Sequence, residues 1–225
     1  MTEARPDPDP ADWTDPAPVY DEVAASYAEK FLTELSRKPF DCDLLDRFAA
    51  AVQHRATAEH PVCDLGCGPG HIGAYLAGHG IPVVGIDLSA GMVAEGRRAF
   101  PSIAFSQGDM TALDQPDGAF TAIDCFYAII HLPRARVPQA LAEMRRTLVA
   151  GGELLLSAHG GEGSLHADHY FEYEVSLYAT LFSLTELTGL VEAAGLAVRE
   201  AHERAPYEDE LATPRLYVWA TAPGA

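Results

Sequence analysis

Positive charge is scarce in this sequence. Its 225 residues include 15 lysine and arginine residues against 33 aspartate and glutamate residues, and the formal net charge is −18. Nucleic-acid binding draws most of its affinity from basic side chains that neutralise phosphates, and no extended basic run occurs here. The composition therefore disfavours a nucleic-acid partner and predicts an acidic surface.

Cysteine is also sparse, and long apolar runs are missing. The four cysteines are Cys42, Cys63, Cys67 and Cys125. The longest mostly apolar stretch, 119–130, contains Asp124 and is too short to cross a bilayer. No apolar leader follows Met1. The sequence therefore predicts a cytoplasmic protein, with neither a membrane span nor a disulfide framework.

Residues 1–18 differ in composition from the rest of the chain. They alternate prolines with aspartates and carry few apolar side chains. Such a segment buries too little apolar surface to offset the entropy of ordering, so we predict a disordered tail. From Val19 onward apolar residues recur at helical spacing, which predicts an N-terminal helical cap over 19–58. No internal linker divides 19–225, and we expect one domain.

Apolar runs and helical stretches alternate along most of that domain. The runs lie at 62–65, 82–88, 103–106, 120–127 and 153–158, with two further strands predicted near 197–203 and 215–222. This alternation is typical of βαβ units and predicts an α/β fold with a parallel sheet covered on both faces. The stretch 159–182 fits no such unit, and we interpret it as an insertion on the substrate side.

A glycine-rich turn follows the first predicted strand, in the sequence VCDLGCGPGHIGAYL at 62–76. Gly66, Gly68 and Gly70 leave room for a ligand to approach backbone N–H groups at the start of a helix. Their spacing differs from the Gly-x-Gly-x-x-Gly of pyrophosphate-binding folds. The carboxylate of Asp64 would also repel a pyrophosphate, which counts against a nicotinamide dehydrogenase.

Three aspartates end successive predicted strands. Asp64, Asp87 and Asp109 are separated by intervals of about one βα unit. All three are therefore expected at the carboxyl edge of the sheet, where open α/β sheets bind ligands. Asp87 is suited to bind both hydroxyls of a ribose, and Asp109 to accept from an adenine amine. The alternative for each aspartate is a turn or helix-capping role.

These segments resemble the motifs of the class I S-adenosylmethionine-dependent methyltransferases, particularly the small bacterial ones that act on small molecules. DLGCGPG, GIDLS and GDM are similar to the first three motifs of that family, and RRTLVAGGELLLS to its turn into the fifth strand. Thr121 replaces the aspartate usual before the fourth strand. The resemblance implies a three-layer, Rossmann-like fold whose seven-stranded, mostly parallel sheet has its last strand antiparallel.

The resemblance also implies which residues bind S-adenosylmethionine. The amino-acid end of the cofactor is assigned to the first loop, the ribose to the second motif and the adenine to the third. An aromatic residue near the reactive methyl, and two more near the methionine carboxylate, complete the predicted set, although core packing is an equal alternative for these aromatics. The predicted cofactor-binding residues are Tyr20, Tyr27, Asp64, Gly66, Cys67, Gly68, Gly70, Asp87, Leu88, Asp109, Met110 and Phe126.

The acceptor of the methyl group is less defined. His131 follows the fourth strand and is the candidate catalytic base, with a structural role as the alternative. His166 and His169 stand three residues apart, but no partner residues of a metal motif accompany them, and we predict no metal site. Cys63 and Cys67 are interpreted as small packing residues.

We therefore predict methyl transfer to oxygen, nitrogen or sulfur of a small molecule, by a monomer or homodimer. A small-thiol S-methyltransferase is the narrower alternative. An aminopropyl transferase and a non-catalytic protein that binds S-adenosylmethionine are the rival functions on the same scaffold. The products separate them, since only methyl transfer releases S-adenosylhomocysteine.

Overall fold

Nine strands occur in the computed structural model, which describes residues 4–9 and 12–224. They are β1 (Val62–Leu65), β2 (Val83–Asp87), β3 (Ala104–Gln107), β4 (Phe120–Phe126), β5 (Leu148–His159), β6 (Ser164–Tyr170), β7 (Tyr173–Thr180), β8 (Ala197–Arg204) and β9 (Arg215–Thr221). Seven of them form one sheet in the order β3-β2-β1-β4-β5-β9-β8. β1 pairs in parallel with β2 and β4, whereas β9 runs antiparallel to β5 and β8. The predicted seven-stranded sheet with an antiparallel last strand is confirmed.

Six α-helices accompany the strands in the described residues. They are α1 (Ala17–Phe31), α2 (Pro39–Val52), α3 (His71–Ala77), α4 (Ala90–Ala99), α5 (Val137–Thr147) and α6 (Leu184–Ala193). Alternate residues of β5 belong to different cores: Leu154 and Leu156 pack with α5 and α6, and Leu155 packs with α2 and α3. Because successive side chains of a strand point to opposite faces, this pattern shows that both faces of the sheet are covered.

The predicted insertion forms a hairpin of β6 and β7. Its strands pair antiparallel with each other and form a sheet of their own. The turn includes Phe171, which has a φ of 54°. The break in the strand–helix alternation predicts the insertion but not its two strands. The hairpin lies at the carboxyl edge of the large sheet, since its Tyr178 carbonyl contacts His131 after β4.

The N-terminal segment lies against this hairpin. Arg5 exchanges two backbone hydrogen bonds with Ser164 of β6, at 2.9 and 2.8 Å. The Thr14 hydroxyl donates to the Ser176 carbonyl of β7 at 2.6 Å. This packing differs from the disordered tail that composition predicts, because the hairpin supplies partners that a composition argument does not count. The remainder of the predicted tail, residues 1–3, 10 and 11, lies outside the described residues.

No helix within the described part of the chain is both long and apolar enough to cross a membrane.

Candidate functional site

A cavity of about 440 Å³ opens at the carboxyl edge of the sheet. It brings together most of the residues that sequence analysis selected from the chain. Ten of the predicted site residues line it, namely Tyr20, Tyr27, Gly66, Gly68, Asp87, Leu88, Asp109, Met110, Phe126 and His131. Parallel α/β sheets bind their ligands at this edge.

A second, smaller cavity of about 40 Å³ adjoins the first. Asp64 and Cys67 line this one, and Tyr27, Gly66 and Phe126 line both cavities. Gly70 lines neither. It has a φ of +85° at the start of α3, and an added Cβ would lie 2.5 Å from the Phe105 ring. The structure therefore gives Gly70 a conformational and packing role.

The loop after β1 presents an open backbone to the large cavity. Gly68 has a φ of +53°, and the nearest atom to an added Cβ would be a Tyr27 ring carbon at 3.8 Å. Gly66 has a φ of +70°, and its Cβ would lie 2.1 Å from the Cβ of Ala128. Both positions have the left-handed conformation that favours glycine, and at Gly66 there is also no room for a side chain.

Asp87 holds the loop in place from the end of β2. Its Oδ2 accepts from the Gly68 N–H at 2.7 Å, and its Oδ1 accepts from the Ser89 N–H at 2.8 Å. Burial raises the pKa of Asp87, although these backbone donors oppose the rise. Each carboxylate oxygen has a further acceptor site, so the side chain can bind two hydroxyl groups at once.

Asp109 divides its two oxygens between a turn and the cavity. Oδ1 accepts from the backbone N–H and the hydroxyl of Thr111, at 2.8 and 2.7 Å. Oδ2 lies 3.9 Å from the Arg136 guanidinium. The structural and the ligand-binding roles proposed for this residue are therefore compatible, one for each oxygen.

Beneath the loop, Asp64 faces a second buried carboxyl group that sequence analysis did not select. Asp124 is its register partner on β4, and both side chains are inaccessible to solvent. Asp64 accepts from the Gly73 N–H at 2.7 Å, while neither oxygen of Asp124 has another partner. Burial and the neighbouring carboxylate raise the pKa of Asp124, and burial raises that of Asp64. Two neighbouring buried carboxyl groups resist ionising together, so Asp124 holds its proton more tightly than an ordinary aspartate.

Besides Asp64, three charged side chains and one imidazole line the small cavity. They are Glu34, Lys38, Asp41 and His71. Glu34 accepts from Nε2 of His71 at 2.8 Å and pairs with Lys38 at 2.6 Å. Burial favours a higher pKa for Glu34, but these two partners outweigh it and lower the pKa. Nδ1 of His71 is buried without a partner. The motifs gave no signal for this group, because Glu34, Lys38 and Asp41 lie outside them.

His131 has both ring nitrogens engaged. Nδ1 lies 2.9 Å from the Tyr178 carbonyl oxygen, and Nε2 lies 2.7 Å from the Tyr20 hydroxyl. Burial lowers the pKa of His131 to about 4. The imidazole is therefore neutral at physiological pH, and neither nitrogen is free to contact an acceptor directly.

The roof of the large cavity is aromatic. Trp13 donates its indole N–H to the His131 carbonyl at 2.9 Å. Its ring packs against that of Tyr178, with 5.2 Å between the ring centroids. Tyr20 lies edge-on to Tyr27 and to Tyr170. Thr14, Asp15 and Pro16 continue this wall. The composition of residues 1–18 gives no sign of this wall, since it predicts disorder; the one signal in that segment is its tryptophan, Trp13.

Tyr127 separates the two cavities at the end of β4. It is a bulky residue with a φ of 53°, an uncommon conformation for a side chain of this size. Its hydroxyl lies 2.9 Å from that of Tyr217, which in turn donates to Asp41 at 2.9 Å. This chain of hydrogen bonds fixes Tyr127, whose ring lines both cavities.

The remaining histidines and cysteines do not assemble into a metal centre in the described ranges 4–9 and 12–224. His166 contacts the Ser176 hydroxyl at 3.0 Å. Cys63 and Cys67 are buried free thiols that pack in different hydrophobic clusters.

Parts of the chain are similar in sequence to known methyltransferases. Residues 62–152 match a family model described as a methyltransferase domain. A demethylmenaquinone methyltransferase of Beutenbergia cavernae is 35% identical over 159 residues, which cover 70% of this chain and 62% of that protein. A trans-aconitate 2-methyltransferase of Methylobacterium nodulans is 40% identical over 93 residues, covering 40% of this chain and 33% of that protein. The chain thus spans less than two thirds of the length of these curated relatives.

Solved structures share the fold at lower identity. A methyltransferase from Methanosarcina mazei, described as S-adenosylmethionine-dependent, has a TM-score of 0.67 and 19% identity, covering 77% of this chain and 98% of that one. The [4+2]-cyclase SpnF has a TM-score of 0.58 and 18% identity, covering 80% of this chain and 81% of that one. Chemistry on this fold must therefore be argued from the site.

Proposed function

Because the chain belongs to the class I S-adenosylmethionine-dependent methyltransferases, we propose that it transfers a methyl group from S-adenosylmethionine to oxygen, nitrogen or sulfur of a small molecule. One observation carries this proposal. A single cavity joins the open backbone of Gly68 and the carboxylates of Asp87 and Asp109 to an aromatic space beside the end of β4.

The residues present fit the nucleoside part of the cofactor. Asp87 retains an acceptor site on each oxygen, which suits the two ribose hydroxyls. Asp109 retains Oδ2 toward the cavity, which suits the exocyclic amine of adenine. The open face of Gly68 lets the ligand approach the loop between them.

The small cavity fits the amino-acid end. An ammonium and a carboxylate need partners of opposite charge when they are removed from water. Glu34, Asp41 and Asp64 offer carboxylates, while Lys38 offers a cation. The unpartnered Nδ1 of His71 is a buried polar atom without a partner in the chain. Because Nε2 carries the hydrogen donated to Glu34, Nδ1 offers a lone pair that a bound ammonium would satisfy.

The remaining residues align the acceptor. When bound, S-adenosylmethionine would supply a methyl group on a sulfonium. Transfer is a displacement at carbon: a lone pair of the acceptor forms the new bond to the methyl carbon, the C–S electron pair stays on sulfur, and the proton of the acceptor is released to water. The chain contributes mainly by orientation and by excluding water. Tyr127 is held between the two cavities by Tyr217, and the aromatic wall of Trp13 and Tyr20 closes the opposite side.

Calorimetric titration with S-adenosylmethionine, S-adenosylhomocysteine and NAD tests the cofactor. We expect saturable binding of the first two and none of NAD. Binding of NAD alone, or of none of the three, would overturn the proposal. Chromatography of reactions with a panel of hydroxyl, amine and thiol acceptors then tests the chemistry. Methyl transfer yields S-adenosylhomocysteine, aminopropyl transfer yields methylthioadenosine, and a non-catalytic binding protein yields neither.

A further inference from the structure

The hydrogen bonds at His131 have only one possible direction. The Tyr178 carbonyl can only accept, so Nδ1 of His131 must carry the hydrogen in the 2.9 Å contact. A neutral imidazole has one N–H, which leaves Nε2 as an acceptor. The hydroxyl of Tyr20, 2.7 Å away, must therefore donate to Nε2.

Burial keeps this arrangement fixed near neutral pH. It lowers the pKa of His131 to about 4, so the imidazole does not gain a second hydrogen. It also raises the pKa of the Tyr20 phenol, so that hydroxyl remains protonated. Tyr20 lines the large cavity with its only hydrogen committed to His131. Its oxygen consequently offers lone pairs, and no hydrogen, to a molecule in the cavity.

Other donors around the acceptor space are committed as well. The Trp13 indole N–H is bonded to the His131 carbonyl, and the Thr14 hydroxyl to the Ser176 carbonyl. The Tyr27 ring lies beside Gly68 on the cofactor loop, with a ring carbon 3.8 Å from the position of a Cβ on that glycine.

Most of the charged side chains around the large cavity are carboxylates. The charged lining residues within the described part of the chain are Asp15, Asp87, Asp109 and Arg136. Arg136, the cation among them, donates to the Thr111 hydroxyl at 2.5 Å and lies 3.9 Å from Asp109. A carboxylate beside Tyr20 would receive no hydrogen from that hydroxyl, and burying a carboxylate without a partner is costly.

We infer that the methyl acceptor is a neutral molecule that donates a hydrogen bond through a hydroxyl, amine or thiol, and that carboxylates are rejected. Tyr20 is the specificity-determining residue, because its oxygen accepts that hydrogen bond. His131 is a positioning residue that holds the Tyr20 hydrogen away from the cavity. This inference rests on the proposed function. It narrows the acceptor class and replaces the catalytic base expected at His131 with a neutral hydrogen-bond acceptor.

Three naphthalenes that differ in one substituent provide the probes. 2-Naphthol donates a hydrogen bond, 2-methoxynaphthalene only accepts, and 2-naphthoate is an anion. Each is titrated calorimetrically at pH 7 into the protein saturated with S-adenosylhomocysteine. A good hydrogen bond, set against an unsatisfied polar group, corresponds to about a tenfold difference in affinity. We expect 2-naphthol to bind about tenfold more tightly than the ether, and the carboxylate to bind weakest.

Variants assign the preference to individual residues. Tyr20→Phe is expected to reduce the difference between naphthol and ether to about twofold or less. Tyr170→Phe removes a neighbouring phenol that does not line the cavity, and should leave the preference intact. His131→Leu frees the Tyr20 hydrogen and should improve binding of the ether and the carboxylate relative to naphthol. His131→Gln, which keeps an acceptor and a donor, should restore the original order.

Several results would overturn the inference. One is binding of 2-naphthoate that is as tight as, or tighter than, that of 2-naphthol. The others are no measurable binding of 2-naphthol and an unchanged preference of Tyr20→Phe for 2-naphthol over the ether. Nitrogen-15 NMR of the unmodified protein gives a test that needs no variant: the tautomer with hydrogen on Nε2 of His131 would also overturn it. Loss of S-adenosylhomocysteine binding would instead refute the proposed function, so the two failures are distinguishable.

Discussion

The floor and the roof of the large cavity are built from different kinds of sequence. The floor consists of loops at the ends of β1, β2 and β3, and its Asp87 is held by backbone N–H groups nearby. The roof joins Trp13, Tyr20 and the hairpin through His131, across sequence separations of more than 40 residues. Local motifs therefore specify the floor, whereas the roof exists only through tertiary contacts. Cofactor and acceptor recognition should be separable by mutation.

The largest effect is expected from Gly66→Ala in the floor. The added Cβ would lie 2.1 Å from that of Ala128, in a residue with a φ of +70°. We expect the free energy of unfolding to fall by about 3 kcal/mol or more, from the left-handed conformation and overpacking together. Gly80→Ala is the matched control, since its φ is +78° but no atom lies within 4 Å. It should cost about 1 kcal/mol. Urea denaturation measures the free energy of unfolding of both variants. Equal decreases in Gly66→Ala and Gly80→Ala would refute the steric argument.

Asp87→Ala should separate floor from roof. Loss of two hydrogen bonds to the ribose is expected to weaken S-adenosylmethionine binding about 100-fold. Affinity for cofactor is measured by calorimetry, with Asp114→Ala as the control. Asp114 is an exposed aspartate that does not line the cavity. If Asp87→Ala kept the affinity of the unmodified protein, the assignment of the ribose to Asp87 would be wrong.

Trp13→Ala tests the roof alone. It removes a wall of the acceptor space and the hydrogen bond to the His131 carbonyl. We expect kcat/KM for the acceptor to fall about tenfold with little change in cofactor affinity. Trp13→Phe keeps an aromatic ring without the N–H. Its kcat/KM should lie between those of the unmodified protein and Trp13→Ala. A parallel loss of cofactor binding would show that floor and roof are not independent.

Asp124→Asn tests the buried carboxyl pair of Asp64 and Asp124 beneath the glycine loop. Its effect, a change in stability, should be the smallest of the four. A carboxyl group whose pKa is raised by folding binds its proton more tightly in the native state. Stability then falls as pH rises from the ordinary aspartate pKa toward the native value. Removing the second carboxyl should therefore flatten this decline and stabilise the protein at pH 8 by about 1 kcal/mol. Thermal unfolding between pH 4 and 8 measures this decline in stability, and an unchanged or steeper decline in the variant would contradict the raised pKa of Asp124.

Sequence patterns predicted the sheet because alternating strands and helices leave a periodic signal, as in the run from Val62 to Leu76. The same signal located Asp87 and Asp109, since strand ends meet at one edge. Asp124 was not selected as a partner of Asp64, because cross-strand register is not visible in one strand. The role of His131 depends on a carbonyl of β7, which a side-chain motif cannot encode.

The hairpin has a consequence for how acceptor preference can diverge. β6 and β7 pair with each other and not with the seven-stranded sheet, so substitutions there disturb no ladder of the large sheet. Their exposed positions tolerate exchange in the way that surface loops do, while Asp87 and the glycine loop remain unchanged. We therefore expect that exchanging β6 and β7 between relatives, together with the N-terminal segment that packs on them, would change the range of acceptors and leave the proposed cofactor site intact.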